Sequence, residues 1–153
     1  MPEHMIAPAE NTDSKLQFFQ GVVSLINSSI GRKMDDTENR AIAFVVERKH
    51  QDGIAPNVFL QDALGVGKDV SGSLSARDAA LQIHNSVFEE KLNRIHELMA
   101  DNHDNPSELE KLKAWEGFEK SGHTKTLDIY NTQSDYVPYI GGVSMDWVPE
   151  WFK

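Results

Sequence analysis

The sequence predicts a mainly α-helical protein: one compact domain of four to five helices, with an extended aromatic C-terminal segment packed on it. Three observations carry that prediction. Apolar residues recur at helical spacing along most of the chain. Helix-capping residues stand where those stripes begin. Eight aromatic residues, Trp115, Phe118, Tyr130, Tyr136, Tyr139, Trp147, Trp151 and Phe152, crowd the last quarter, and from Tyr130 onward the period is lost and Pro138, Gly141, Gly142 and Pro149 intervene.

Residues 1–13 read as a disordered lead, residues 14–122 as the helical domain and residues 123–153 as the extended segment. The first helix follows Asp13 or Ser14 as cap. Leu16, Phe19, Val22, Val23, Ile26 and Ile30 form its apolar face, and Gly31 suits the left-handed residue after its end. A second element starts at Asp35, with Glu38 three residues on as capping-box partner. Its centre, Ala41-Ile42-Ala43-Phe44-Val45-Val46, is apolar on all sides. Such a run is either a central buried helix or a short buried strand. The polar flanks continue a long element, which favours helix, and Gly53 stops it.

A short third helix is expected from Pro56 to Leu64, followed by a glycine- and serine-rich connection over residues 65–74. The fourth runs from a Ser75–Asp78 capping box to about Ala100. Leu81, Phe88, Leu92, Ile95 and Met99 form its stripe, flanked by Ile83 and Val87, and Glu90 and Arg94 are spaced for a surface pair. Asn105-Pro106 opens the fifth in a favoured way, an Asn cap and then Pro at the first helical position. Leu109, Leu112, Trp115 and Phe118 are expected to face the core, Glu116 and Lys120 to pair outside, and Gly122 to end the helix.

Composition narrows the function. The formal net charge is −9, which disfavours nucleic acid and anionic membrane as partners. The chain has no cysteine, which removes disulfides, thiolate metal sites and cysteine nucleophiles. The longest apolar run, Ala41 to Val46, is far short of the roughly 20 residues of a membrane helix. Residues 1–12 hold acids and no apolar run, so no secretory signal is read there. The expectation is a soluble, cytoplasmic protein.

Sequence signatures of chemistry fail one by one. Glu47 and His50 have the Glu-x-x-His spacing of carboxylate-bridged metal bundles, but the second such pair is missing, so they are weak metal candidates and read as a surface pair. Gly65-Val66-Gly67-Lys68-Asp69 lacks both the leading glycine and the Ser or Thr of a phosphate loop. Residues 101–112 put His103, Pro106 and Leu112 where a calcium loop needs an oxygen ligand, glycine and glutamate. There is no Gly-x-Ser-x-Gly elbow. Asp128, Asp135, Asp146 and Glu150 lie among aromatic residues, a composition that suits sugar binding, but spacing in an irregular segment fixes no geometry. No cofactor is implied.

The expected function is therefore non-enzymatic: an adaptor, inhibitor or structural subunit that binds another protein or its own copy. Tyr136, Tyr139, Trp147, Trp151 and Phe152 are the candidate anchors, because Trp and Tyr are enriched in interface hot spots. The competing expectation is a small hydrolase or ligand-binding domain, glycan-directed in one version, with its site between the C-terminal segment and the helices.

Overall fold

The structure is a computed structural model that describes residues 8–55, 58, 60–62 and 74–141, with side chains from residue 14 onward. These residues form a single all-α domain. Its helices are α1 (Pro8–Ile30), α2 (Asp36–Gln51), α3 (Ala76–Asp101) and α4 (Pro106–Thr132). The third expected helix lies mostly outside the described residues. Of its span, Val58 and residues 60–62 are helical, and Leu60 is buried.

The helix α1 begins at Pro8, earlier than the sequence suggested. Pro8 occupies the first helical position, where its missing N–H costs nothing. The helix ends at Gly31 with φ of 72°, and the Gly31 N–H donates to the Asn27 carbonyl at 3.1 Å.

The 41–46 run is helix, and all six residues are buried. Asp35 caps α2 by accepting from the Glu38 N–H at 2.8 Å, and the Glu38 carboxylate accepts from the Asp35 N–H at 3.1 Å. At the other end the Gly53 N–H reaches the His50 carbonyl and the Ile54 N–H reaches the Lys49 carbonyl, with Gly53 at φ of 77°. That pair of bonds is a Schellman motif. Phe19, Val22, Ile26 and Ile30 of α1 and Ala79, Ala80, Ile83 and Val87 of α3 close around α2. Together these residues form the apolar core.

Half of the expected Ser75–Asp78 capping box is present in α3: Ser75 accepts from the Asp78 N–H at 3.2 Å, while the Asp78 carboxylate accepts from the Tyr130 hydroxyl. Its buried face is rotated from the expected stripe. Ala80, Ile83, His84, Val87, Lys91 and Ile95 are buried, whereas Leu81, Phe88, Leu92 and Met99 are only half-buried. Glu90 turns to Lys49 of α2 at 3.1 Å, and Arg94 pairs with Glu97 instead.

The α4 helix runs ten residues past Gly122, so the extended segment begins at residue 133 rather than 123. A glycine inside a helix costs only about 1 kcal/mol, and contacts with α3 offset it. Arg77 of α3 donates to the carbonyls of Tyr130, Gln133 (3.2 Å) and Tyr136 (3.3 Å). It thereby satisfies acceptors that the end of a helix leaves open. Its guanidinium sits 3.8 Å from the centroid of the Tyr130 ring, and the Tyr130 hydroxyl donates to Asp78. Phe118 is 59% exposed, against the expectation that it joins the core. Seven residues are close to two helical turns, so the buried line through Leu112 continues to Glu119 and Thr126 and passes Phe118 by. Glu116 and Lys120 do pair, at 3.6 Å.

Residues 133–141 leave the helix through a turn at residues 134–135 and then lie against the helices without regular structure. Val137 packs on the apolar core and Ile140 is 1% exposed. The segment is held by an acid already used as a cap. Glu38, 1% exposed, accepts two bonds from Arg32 (2.7 and 2.8 Å) and one from the Ile140 N–H (2.9 Å), while Arg32 also donates to the Pro138 carbonyl. Burial raises the Glu38 carboxyl pKa. The bonds from Arg32, Ile140 and Asp35 outweigh it, and the net shift is downward. At Gly141 an added Cβ would stand 3.2 Å from the Thr37 backbone, so the segment approaches α2 as closely as glycine permits.

Candidate functional site

Where the C-terminal segment meets α3 and α4, the packing leaves a cavity of about 350 Å³. That is the lower end of the range for small-molecule sites. Its apolar wall comes from Val87, Phe88 and Ile140. Its polar groups are His84, Lys91, Glu119, His123, Thr126 and the Thr37–Gly141 edge.

Lys91 is the unusual member. It sits on the inner face of α3, four residues after Val87 and four before Ile95, both of them buried. It is 1% exposed, and its Nζ has no hydrogen-bond partner among the described residues. The carboxylate oxygen Oε1 of Glu119 is 3.9 Å away, beyond hydrogen-bond range. Burial lowers the Lys91 pKa from 10.5 to about 8, with the charge of Glu119 partly opposing it. A cation this buried normally has several charge-assisted bonds.

His84 and His123 form a second polar pair. His84 Nδ1 is 2.6 Å from the Tyr139 carbonyl, and His84 Nε2 is 3.0 Å from His123 Nδ1. A carbonyl can only accept, so His84 carries its proton on Nδ1. Burial, aided by the neighbouring His123 and Lys91, holds its pKa down at about 4, and the ring is neutral at pH 7. Nε2 is then an acceptor, His123 donates from Nδ1, and the basic nitrogen of the pair is His123 Nε2. Phe88 stacks on His123 with ring centroids 3.9 Å apart and planes within 10°, which fixes the ring. Burial also lowers the His123 pKa.

The residues singled out from sequence are dispersed. Tyr139 lines the cavity and supplies the carbonyl for His84, and the Tyr136 hydroxyl accepts from the Tyr139 N–H at 3.3 Å. Trp147, Trp151 and Phe152 lie outside the described residues, as do Asp146 and Glu150. Asp128 and Asp135 are exposed and line no part of the cavity, so among the described residues the paired carboxylates of a glycosidase do not converge. Glu47 and His50 border a separate hollow of about 360 Å³, where Glu47 pairs with Lys15 at 3.3 Å. No cluster of three metal-ligating side chains occurs among the described residues. No helix among them is long and apolar enough to cross a membrane.

Sequence reasoning missed Lys91, Glu119, His84 and His123. One signal was available: Lys91 occupies the position at which the period through Ile83, Val87 and Ile95 demands an apolar residue. A charge on the apolar line of a helix is a departure that patterning can flag.

No family model matches the chain, and no curated protein or solved structure matches it either. The site is therefore read from its own chemistry.

Proposed function

We propose that the protein is a small-molecule-binding domain whose site is the cavity between α3, α4 and the C-terminal segment. The observation that carries this reading is Lys91: a buried ammonium, without a hydrogen-bond partner among the described residues, lining a cavity of about 350 Å³. The Lys91–Glu119 pair is already neutral overall. An anionic ligand would bring an uncompensated charge into a poorly solvated space, which costs several kcal/mol. A neutral ligand with a carbonyl oxygen meets no such cost. Its oxygen accepts from Lys91, its apolar body rests on Val87, Phe88 and Ile140, and any donor it carries has the acceptor nitrogen of His123.

Benzamide tests this. In a titration followed by amide NMR, benzamide is expected to shift the resonances of His84, Thr126 and Gly141 with a millimolar or tighter Kd. Lys91→Met is expected to weaken it at least fivefold. Toluene, which has the ring without the oxygen, is expected to bind both proteins alike. Equal loss of both ligands, or shifts confined to another face, would sink the reading.

Partner binding keeps one observation in its favour. Phe18 and Leu25, seven residues apart on α1, are 47% and 50% exposed. If they dock a second copy or another protein, Phe18→Ser with Leu25→Ser abolishes that association in sedimentation velocity and leaves benzamide binding intact.

A further inference from the structure

We propose that Lys91 is a carbonyl-condensing amine: within the cavity its Nζ forms a protonated imine with a small aldehyde or ketone. The inference rests on the binding reading above and adds a covalent step to it. The geometry supplies what such a step needs. Lys91 lines the cavity and its Nζ is held by no hydrogen bond among the described residues, so rotation about its side-chain bonds can bring the amine to a bound carbonyl carbon. Glu119 Oε1 stands 3.9 Å away, close enough to exchange a proton once a ligand draws the two groups together. Both groups project from long helices that pack on each other, which fixes the distance between their backbones.

The step balances without a co-reactant. The ammonium gives a proton to Glu119. The neutral amine adds to the carbonyl carbon, a C–N bond forms, and the carbonyl π pair moves to oxygen. One proton passes from nitrogen to that oxygen, and Glu119 returns the other. The C–O bond breaks, water leaves, and the nitrogen lone pair closes the C=N bond. The product is an iminium cation beside a carboxylate, so the charge of the pair is the same before and after. Desolvation of the product costs no more than that of the ammonium it replaces.

Burial also makes the amine available. With a pKa near 8 the neutral fraction of Lys91 at pH 7 is about 300-fold greater than that of a lysine at 10.5. Each other lysine of the chain serves as an internal control.

The full chain is incubated with benzaldehyde and sodium cyanoborohydride at pH 7.5, digested, and mapped by mass spectrometry. Lys91 is expected to take the benzyl group at least tenfold faster than any other lysine, with the amino terminus of the protein as background. In 8 M urea the preference is expected to vanish. Excess benzamide is expected to slow labelling at Lys91 alone. An unlabelled Lys91 in a protein that still binds benzamide overturns the imine and leaves the binding reading standing. Rapid labelling of Lys91 that benzamide does not slow supports the amine and overturns the binding reading. Neither labelling nor binding overturns both. The variant Lys91→Met/Glu119→Gln, checked for its helical circular dichroism, is expected to lose the fast adduct, and persistence of that adduct also overturns the proposal.

Discussion

The α1–α2–α3 core and the α3–α4 seam are built from similar helices and packed on opposite principles. Around α2 the buried residues are Ile, Val, Ala and Phe, and each removes apolar surface from water at about 25 cal/mol per Å². Along the seam, Lys91 and Glu119 are as buried as that core, with His84 and Thr126 close behind, yet the packing leaves a cavity. Buried charge gives little net stability, because desolvation offsets the Coulomb attraction. The first region therefore holds the fold, and the second is where composition departs from what stability alone favours. Such departures concentrate at functional sites.

The contrast can be broken by substitution. Phe44→Ala, in the core, is expected to cost about 3–5 kcal/mol in urea unfolding. In the seam, Lys91→Met alone is expected to cost about 2 kcal/mol, since it leaves the Glu119 carboxylate buried without its cation. Adding Glu119→Gln is expected to bring stability back to within about 1 kcal/mol of the parent. If the double variant is as unstable as Phe44→Ala, the seam is ordinary core and the comparison fails.

Acid sharpens it next. Native His84 holds no extra proton until about pH 4, whereas the unfolded chain binds one near 6.5. Over that window the unfolded state binds more protons, so stability falls as pH falls, by about 3 kcal/mol in all. His84→Gln is expected to remove that slope. A separate loss belongs to Glu38, whose pKa is lowered in the folded state: its contribution is present above the unfolded carboxylate value and disappears as pH drops through the lower folded one. Lys91 acts at the other end. Its folded pKa of about 8 lies below 10.5, so stability is expected to rise with pH between those values, and Lys91→Met is expected to flatten that limb.

Smaller effects probe the segment that closes the cavity. Glu38→Gln is expected to cost about 2 kcal/mol by weakening the bonds to Arg32 and Ile140. Gly141→Ala is expected to cost about 1 kcal/mol, because the Thr37 backbone cannot give way without moving α2. Both are expected to weaken benzamide binding as well, since Ile140 and Gly141 form one wall. Unchanged binding would detach the segment from the site.

Much of the fold was legible because its signals are local. The Asp35–Glu38 box, the Ser75 cap, the Asn105-Pro106 start, the left-handed glycine at 31 and the stop at Gly53 act within a few residues, and each stands where the sequence placed it. The errors have a common cause. Gly122 reads as a stop until Arg77, more than forty residues away, is found bonding the end of the same helix. Phe118 reads as core by hydrophobicity, but the partner helix selects the line through Leu112 and Glu119.

The sequence by itself determined helical class, the buried character of α2 and most helix starts, because hydrogen bonds and apolar periodicity within one segment decide those. Only the tertiary structure decided that Lys91, Glu119, His84 and His123 share a cavity under the C-terminal segment. Burial, pKa and proton position belong to no residue alone: they arise when α3, α4 and residues 139–141 pack around one space together.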